Sequence, residues 1–326
     1  MMKLGVIGTN WITAQFVAAA QATGAYTLAA VYSRHLATAT AFIEKTAPAA
    51  AFTDLAAFLA SDLDVVYIAS PNSLHPTQTL QAVAAGKHVI VEKPMVTTVG
   101  ELAAIQAAQA AHPGVFVFEA ARHVYDPNFT VIQDFVASHP ISGASLAYAK
   151  YSSRYDAYLA GENPNIFSPA FAGGALMDLG VYLVYAAVAW FGEPEAAQYL
   201  PRKLANGIDG AGIARLAYPD FDVTLVAGKT YNSTAPSEIY TGKQTLVFDS
   251  PGELNRVVLQ DGSGSHDLTM AKAKNPMQDE ARAFAEIIEQ GDTARARAAM
   301  ALAAKVHHVM AQLRQSGDIH FTNDPE

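Results

Sequence analysis

Through roughly the first 120 residues, short apolar runs alternate with stretches whose apolar residues recur every three or four positions, the pattern of βαβ crossovers around a parallel sheet. Residues 4–7 predict a first strand and residues 11–23 a first helix, stopped by Gly24. Residues 27–32 read as the second strand, 37–45 as the next helix, a further helix starts near Thr53 and Asp54, and 65–69 form another apolar strand. Pro71-Asn72-Ser73-Leu74-His75-Pro76 makes a loop before a helix that closes at Gly86. The run His88-Val89-Ile90-Val91-Glu92 then predicts a strand that is apolar on successive positions, hence buried on both faces, and it ends on Lys93-Pro94. Thr97 caps an alanine-rich helix, and residues 115–118 make a sixth strand. Together these elements complete a dinucleotide-binding, or Rossmann, arrangement.

Beyond about residue 121 the period changes. A helix near 128–138 and a strand at 144–151 lead to a glycine-rich loop and an apolar helix from about Gly174 to Phe191. Period-two segments follow at 212–218, 223–229, 245–248 and 257–260, broken by the turn-formers Pro219-Asp220, Thr241-Gly242 and Asp261-Gly262, so a mainly antiparallel sheet is expected. Two helices, 278–290 and 293–315, finish the chain. The fold class is α/β: residues 1–121 as a Rossmann domain with a parallel sheet, and residues 122–326 as an α/β domain with a large, mainly antiparallel open sheet, the last helices being free to pack back on the first domain.

Composition narrows the partners. With 326 residues, 51% hydrophobic and 16% charged, the chain has enough apolar surface for two cored domains. The balance of 21 Lys+Arg against 30 Asp+Glu, a net charge of −9, offers no basic face for nucleic acid or an anionic membrane. No signal sequence is visible ahead of the first strand, and no stretch reads as apolar for long enough to cross a bilayer. There is no cysteine, which excludes disulfides and thiol chemistry and suits a cytoplasmic protein.

The candidate chemistry lies where strands end. In an open α/β sheet ligands sit beyond the carboxyl ends of the strands, so Lys93 either points its ammonium into that crevice or is a solvated loop lysine. Pro94 restricts Lys93 to extended backbone and permits a cis bond. Gly8-Thr9-Asn10-Trp11-Ile12-Thr13 occupies the turn from first strand to first helix, where a dinucleotide fold places three glycines against a pyrophosphate. Only the first glycine is present. Asn10 can adopt the left-handed conformation the second glycine often needs, and its side chain, which narrows the approach, is expected to reach a phosphate itself. Thr13 must be packed where a side chain is unusual; on this motif alone, a plain βα turn is an equal reading. The second strand ends in Ser33-Arg34, with no carboxylate for ribose hydroxyls; a serine hydroxyl and a guanidinium suit a 2′-phosphate, so NADP is preferred over NAD unless Arg34 merely decorates a loop. In the second half, Gly173-Gly174-Ala175-Leu176-Met177-Asp178-Leu179-Gly180-Val181-Tyr182 sets Asp178 and Tyr182 four residues apart, on one face of a helix. A carboxylate and a phenol inside an apolar helix either satisfy each other and nearby backbone or reach the active site.

Glu92-Lys93-Pro94 after a buried strand, the upstream Ala69-Ser70-Pro71-Asn72 with His75, and the late Gly-Gly-Ala-Leu-Met-Asp-Leu-Gly-Val-Tyr together resemble the glucose-fructose oxidoreductase, inositol dehydrogenase and MocA family over essentially the whole chain. The resemblance implies reversible hydride transfer between nicotinamide and a secondary alcohol or carbonyl. It assigns Lys93 as the catalytic lysine and Asp178 as the family's helix aspartate. Tyr182 stands where many members have histidine, as in the branch with glucose-fructose oxidoreductase and the dimeric dihydrodiol dehydrogenases. Tyr182 is then the proton donor and acceptor, with Lys93 easing its deprotonation and Asp178 orienting the pair. Ser70, Pro71, Asn72 and His75 match the loop at the nicotinamide end, Glu92 lies beside the cofactor, and Gly8, Thr9, Asn10, Trp11 and Ile12 form the pyrophosphate turn. The open sheet of such proteins often forms an oligomer interface, so a homodimer or homotetramer is expected.

Arg122, at the domain junction, and Tyr151 and Arg154, after a second-domain strand, are candidate substrate contacts; Arg154 is equally a candidate for a structural ion pair. His307 and His308 lack a metal-ligand pattern and read as surface or packing residues, and no metal is expected. The competing reading is a nucleotide-sensing protein of the same fold without chemistry, against which the joint presence of Lys93, Asp178 and Tyr182 argues.

Overall fold

The computed structural model describes residues 1–324. Its elements in chain order are β1 Met2–Ile7, α1 Trp11–Ala22, β2 Tyr26–Tyr32, α2 Leu36–Lys45, β3 Ala50–Phe52, α3 Leu55–Ala60, β4 Val65–Ile68, α4 His75–Ala84, β5 His88–Glu92, α5 Val99–Ala111 and β6 Val117–Ala120. The second half continues with α6 Pro127–Ser138, β7 Gly143–Ala149, α7 Tyr155–Leu159, a π-helical turn Leu176–Gly180 running into α8 Val181–Phe191, β8 Ala196–Lys203, β9 Asp209–Ala217, β10 Asp222–Gly228, β11 Ser237–Thr241, β12 Gln244–Phe248, β13 Val257–Asp261, β14 Gly264–Asp267, α9 Gln278–Gln290 and α10 Thr293–Ser316.

The chain divides into two compact units. The first, residues 1–122 and 273–301, is built on a six-stranded sheet in the order β3-β2-β1-β4-β5-β6. Every neighbouring pair is parallel. The order reverses between β1 and β4, which makes the carboxyl ends of those strands the switch point where a ligand crevice forms. Residues 273–301 fall in this unit and not with the rest of 122–326: Tyr26 Oη donates to the Ala281 carbonyl at 2.9 Å, Asn275 Nδ2 donates to the Gln15 carbonyl at 2.9 Å, and Phe284 stacks on Phe118 at 4.6 Å. The boundary expected at 121/122 therefore holds for one crossing of the chain, while α9 and the start of α10 return to cover α1 and the sheet.

The second unit, residues 123–272 and 302–324, carries an eight-stranded sheet in the order β14-β13-β12-β11-β7-β10-β9-β8. All of its pairings are antiparallel except β7 with β10. The 23 residues from Pro169 to Phe191 are long and apolar enough to cross a bilayer, contrary to the expectation from sequence. Most of that surface is buried inside the protein, so its hydrophobicity belongs to the core of this unit. Strands β3, β8, β11 and β14 escape the periodic reading: β3 is three residues long, β14 is exposed throughout, and β8 contains Pro201. Thr98, not Thr97, caps α5, with Glu101 closing a capping box; the Thr97 amide and hydroxyl also donate to Glu101, which is why the two threonines look equivalent in sequence.

Candidate active site

In the first unit the predicted cofactor and lysine motifs meet at the switch point. Gly8 follows β1 with φ +104°, and a Cβ there would lie 2.6 Å from the Ala69 carbonyl oxygen, so the loops after β1 and β4 touch and only glycine fits. Asn10 is not left-handed: its backbone is extended, and its side chain caps α1 by accepting from the Thr13 amide at 3.0 Å and the Thr13 hydroxyl at 3.2 Å. Its Nδ2 donates to the Ala69 carbonyl at 2.9 Å. The carboxamide expected to reach a phosphate is thus occupied with holding the turn. Thr13, fully buried, fills the place of the third glycine by bonding to the same Asn10 oxygen. The amides of Trp11 and Ile12 precede the first intrahelical bond and remain the natural donors for an anionic group. Trp11 itself is 75% exposed at the helix start.

The loop after β4 is pinned in turn to the lysine motif. His75 is 1% exposed, its Nδ1 lies 2.8 Å from the Pro94 carbonyl and its Nε2 2.8 Å from the Ser70 carbonyl. Burial pulls its pKa below the ordinary histidine value, against the opposing effect of those two carbonyls. The imidazole is therefore a buried tie between Ser70 and Pro94, and any effect on a cofactor passes through the backbone it holds. Ser70 Oγ donates to Gln78 at 2.6 Å. The Lys93-Pro94 bond is cis, and Lys93 is half-buried directly after the fully buried part of β5. Ser33 and Arg34 follow β2 at the same sheet edge, with Arg34 exposed.

Glu92 and Arg122 face inward. Tyr67 Oη donates to Glu92 Oε1 at 2.6 Å while the Tyr67 ring stacks on Phe16 at 3.9 Å. Burial pushes the Glu92 carboxyl up, while Lys93, the Tyr67 hydroxyl and Arg122 pull it back. Glu280 of α9 is wholly buried and neither of its oxygens has a hydrogen-bond partner; burial, with Glu92 adding to it, drives its pKa far above the carboxylate range, and only Arg122 opposes. Arg122, a candidate substrate contact, is half-buried, and its charge lowers the pKa of both inward-facing carboxyls. Glu280 was legible in principle: Glu280, Phe284 and Ile287 share the buried face of α9 at spacings of four and seven.

In the second unit Asp178 lies in the π turn, a geometry that recurs at functional sites. The extra residue per turn replaces the regular helix expected from Gly174 onward. Asp178 has a partner that the sequence did not suggest: its Oδ2 is 2.8 Å from the ammonium of Lys229, a residue that is 1% exposed. The turn is secured by Asp209, whose Oδ2 accepts from the Leu176 amide at 2.6 Å and from Tyr199 Oη at 2.6 Å. A Cβ on Gly174 would lie 2.1 Å from Asp209 Oδ1, so the glycine lets the carboxylate approach. Burial raises the Asp209 carboxyl to about 6, against those donors and Lys229.

Tyr182, in the first turn of α8, is 8% exposed. Its ring packs against His123 at 4.8 Å and edge-on to Tyr148 at 5.6 Å, and His123 Nε2 donates to its carbonyl at 3.2 Å. Tyr151 is exposed and donates to Asp156 at 2.5 Å; its ring starts a chain of contacts through Tyr155 to Phe167, which lies beneath the Lys229 ammonium. Arg154 is exposed and forms no ion pair among the described residues, so the structural alternative expected for it is not found. Lys229 was missed, yet period two puts it on the buried face with Val223, Leu225 and Ala227.

Comparison with known proteins agrees with this geometry. Residues 2–120 match the oxidoreductase family with an NAD-binding Rossmann fold. The chain is 41% identical over 293 residues to the uncharacterized oxidoreductase YgjR of Escherichia coli (strain K12), covering 89% of each chain. It is 37% identical over 295 residues, again 89% of each, to scyllo-inositol 2-dehydrogenase (NADP(+)) IolU of Bacillus subtilis (strain 168). KijD10, a 3-ketoreductase from Actinomadura kijaniata solved with NADP and TDP-benzene, superimposes with a TM-score of 0.86 over 97% of each chain at 21% identity, a likeness of fold. The two sequence relatives are named an oxidoreductase and a dehydrogenase, which favours catalysis over nucleotide sensing. Identity of this extent, together with the Rossmann match and the Glu92-Lys93-Pro94 strand end, shows that the chain belongs to the glucose-fructose oxidoreductase, inositol dehydrogenase and MocA family of NAD(P)-dependent oxidoreductases.

Proposed function

We propose that the protein is an NADP-dependent dehydrogenase acting on a secondary hydroxyl of a cyclic polyol or sugar, and reducing the matching ketone in the reverse direction. The observation that carries this reading is the tied switch point: Gly8, Ala69, Ser70, His75 and Pro94 are linked by short contacts that fix the pyrophosphate turn and the lysine motif as one rigid edge. The 2′-phosphate preference is supported by Ser33-Arg34 and the lack of a carboxylate there, and the cyclic-polyol class by the similarity to the inositol dehydrogenase.

The residues present fit a dinucleotide: a glycine turn at φ +104° closed against the Ala69 carbonyl, a helix start whose first amides precede the intrahelical bonds, and a cation beyond β2. When bound, the nicotinamide accepts or supplies the hydride. The remaining work falls to the chain. The Trp11 and Ile12 amides hold the pyrophosphate, and Arg34 and Ser33 hold the 2′-phosphate. Lys93 stabilises negative charge developing on the substrate oxygen, Tyr182 exchanges its phenolic proton with that oxygen, and Asp178 fixes the polar end of the substrate. Tyr151 and Arg154 contact its outer hydroxyls. The protein works in the cytoplasm as a homodimer or homotetramer, a state supported by Leu200 and Ile213, paired across β8 and β9 and both exposed on the open face of the sheet.

The test is a titration of the purified protein with NADPH and NADH, followed by turnover assays on scyllo-inositol, other inositols and simple sugars. Tighter binding of NADPH and turnover of an inositol are expected. Binding of neither cofactor, or turnover confined to acyclic alcohols, overturns the reading.

A further inference from the structure

Lys229 is a residue that packing alone would not select. It follows β10 on the face occupied by Val223, Leu225 and Ala227, where an apolar side chain would continue the core. Removing an ammonium from water costs several kcal/mol unless good partners compensate. Its three neighbours are directional: Asp178 Oδ2 at 2.8 Å, the Ile166 carbonyl at 3.2 Å and the face of Phe167 at 4.8 Å. The Lys229 backbone is clamped as well, its amide donating to Gly210 at 2.8 Å and its carbonyl accepting from Ser152 at 2.9 Å. The ammonium is therefore fixed before it meets Asp178.

Asp178 presents the opposite picture. A third of its side chain (34%) is exposed, and it sits in a π turn whose start is held by Asp209 through the Leu176 amide. A carboxylate at such a place has several rotamers open to it unless one oxygen is anchored. Lys229 supplies such an anchor to Oδ2 from the dry side, while a third of the side chain stays exposed.

We propose that Lys229 is a positioning residue for hydride transfer: it holds the Asp178 carboxylate in one orientation and counters its charge, so that Asp178 serves the substrate in a fixed geometry. This inference rests on the reading that Asp178 and Tyr182 serve the reaction. Removing Lys229 takes the ion pair from a part-exposed Asp178, whereas removing Asp178 leaves a buried ammonium with only the Ile166 carbonyl, the Phe167 face and the more distant Asp209 to compensate it. The two single substitutions therefore differ in their effect on folding.

The experiment uses the full chain as Lys229→Met, Lys229→Gln, Asp178→Asn and the Lys229→Met/Asp178→Asn double variant, assayed with NADPH or NADP and whichever inositol or sugar the wild type turns over. Lys229→Met is expected to lower kcat by about 100-fold, the scale on which misplacement of a working group acts, with KM for the cofactor and the NADPH dissociation constant unchanged. Lys229→Gln, which keeps a donor for Asp178, recovers part of the rate and stands in if the methionine variant does not fold. The double variant is no slower than Asp178→Asn alone, the signature of residues acting as a unit. Wild-type kcat in Lys229→Met, or losses that multiply in the double variant, overturns the proposal. Tyr182→Phe at wild-type rate sinks the underlying reading instead, while a slow Tyr182→Phe beside a wild-type Lys229→Met sinks this inference alone.

Discussion

Asp209 makes a prediction whose size follows from its surroundings. The side chain is fully buried, one oxygen accepts from Tyr199 and from the Leu176 amide, and the other has no partner. Its carboxyl titrates in the folded protein at about 6, against an ordinary 3.8. A raised carboxyl pKa means that the folded state binds the proton more tightly than the unfolded chain does. The stability it contributes is then fully present below pH 3.8 and is lost as pH rises through about 6. A displacement of about two pH units at about 1.4 kcal/mol each gives about 3 kcal/mol across that window. Asp209→Asn cannot titrate, so its unfolding free energy should gain on wild type by about 2.4 kcal/mol between pH 4 and pH 7. Other buried carboxyls such as Glu280 titrate in both proteins and cancel in the difference. Urea denaturation followed by the fluorescence of Trp190, which is buried in the same unit, reads the effect. Parallel stability curves for the two proteins would refute the placement of Asp209 as an ionisable brace of the Asp178 turn.

Other outcomes follow from the first unit. Gly8→Ala should cut NADPH affinity at least 10-fold, because a Cβ 2.6 Å from the Ala69 carbonyl forces apart the loops that shape the pyrophosphate turn; calorimetric titration checks it. Arg34→Ser should weaken NADPH by roughly 10- to 100-fold, the worth of a charge-assisted phosphate contact, while NADH changes little; equal losses count against a 2′-phosphate contact. Glu280→Gln should lack the fall in stability that wild type shows as pH rises above the ordinary glutamate range, since burial raises the Glu280 carboxyl in the folded protein. Urea denaturation from pH 4 to 8 decides it.

Much of this was legible in the chain. The Rossmann strands β1, β2, β4 and β5 are apolar on both faces and bounded by glycine, proline or a cap, so periodicity found them within a residue or two. The position of Lys93 was legible too: it follows directly on the buried part of β5, as the apolar run ending at Pro94 predicts. What sequence could not supply were partners fixed by tertiary approach. Asn10 looked like a substitute glycine, and its role became clear only once the Ala69 carbonyl lay 2.9 Å from its amide. The i, i+4 relation of Asp178 and Tyr182 assumed a regular helix, and the π turn at 176–180 breaks that register. The electrostatic effect of Arg122 on Glu280 was not legible, because the two lie 158 residues apart along the chain but in the same unit. Lys229 and Glu280 were findable, since each is a charged residue sitting in phase with the apolar face of its own element.

In the proposed mechanism hydride transfer uses Lys93 and Tyr182 as working groups. Its most direct test is the single-turnover rate of nicotinamide reduction when saturating polyol is mixed with preformed NADP complexes of wild type, Lys93→Met and Tyr182→Phe. Dissociation constants for NADP are expected within a few-fold of each other, and rates lowered by about 100-fold or more in both variants. Variants that reduce the nicotinamide as fast as wild type would contradict the mechanism.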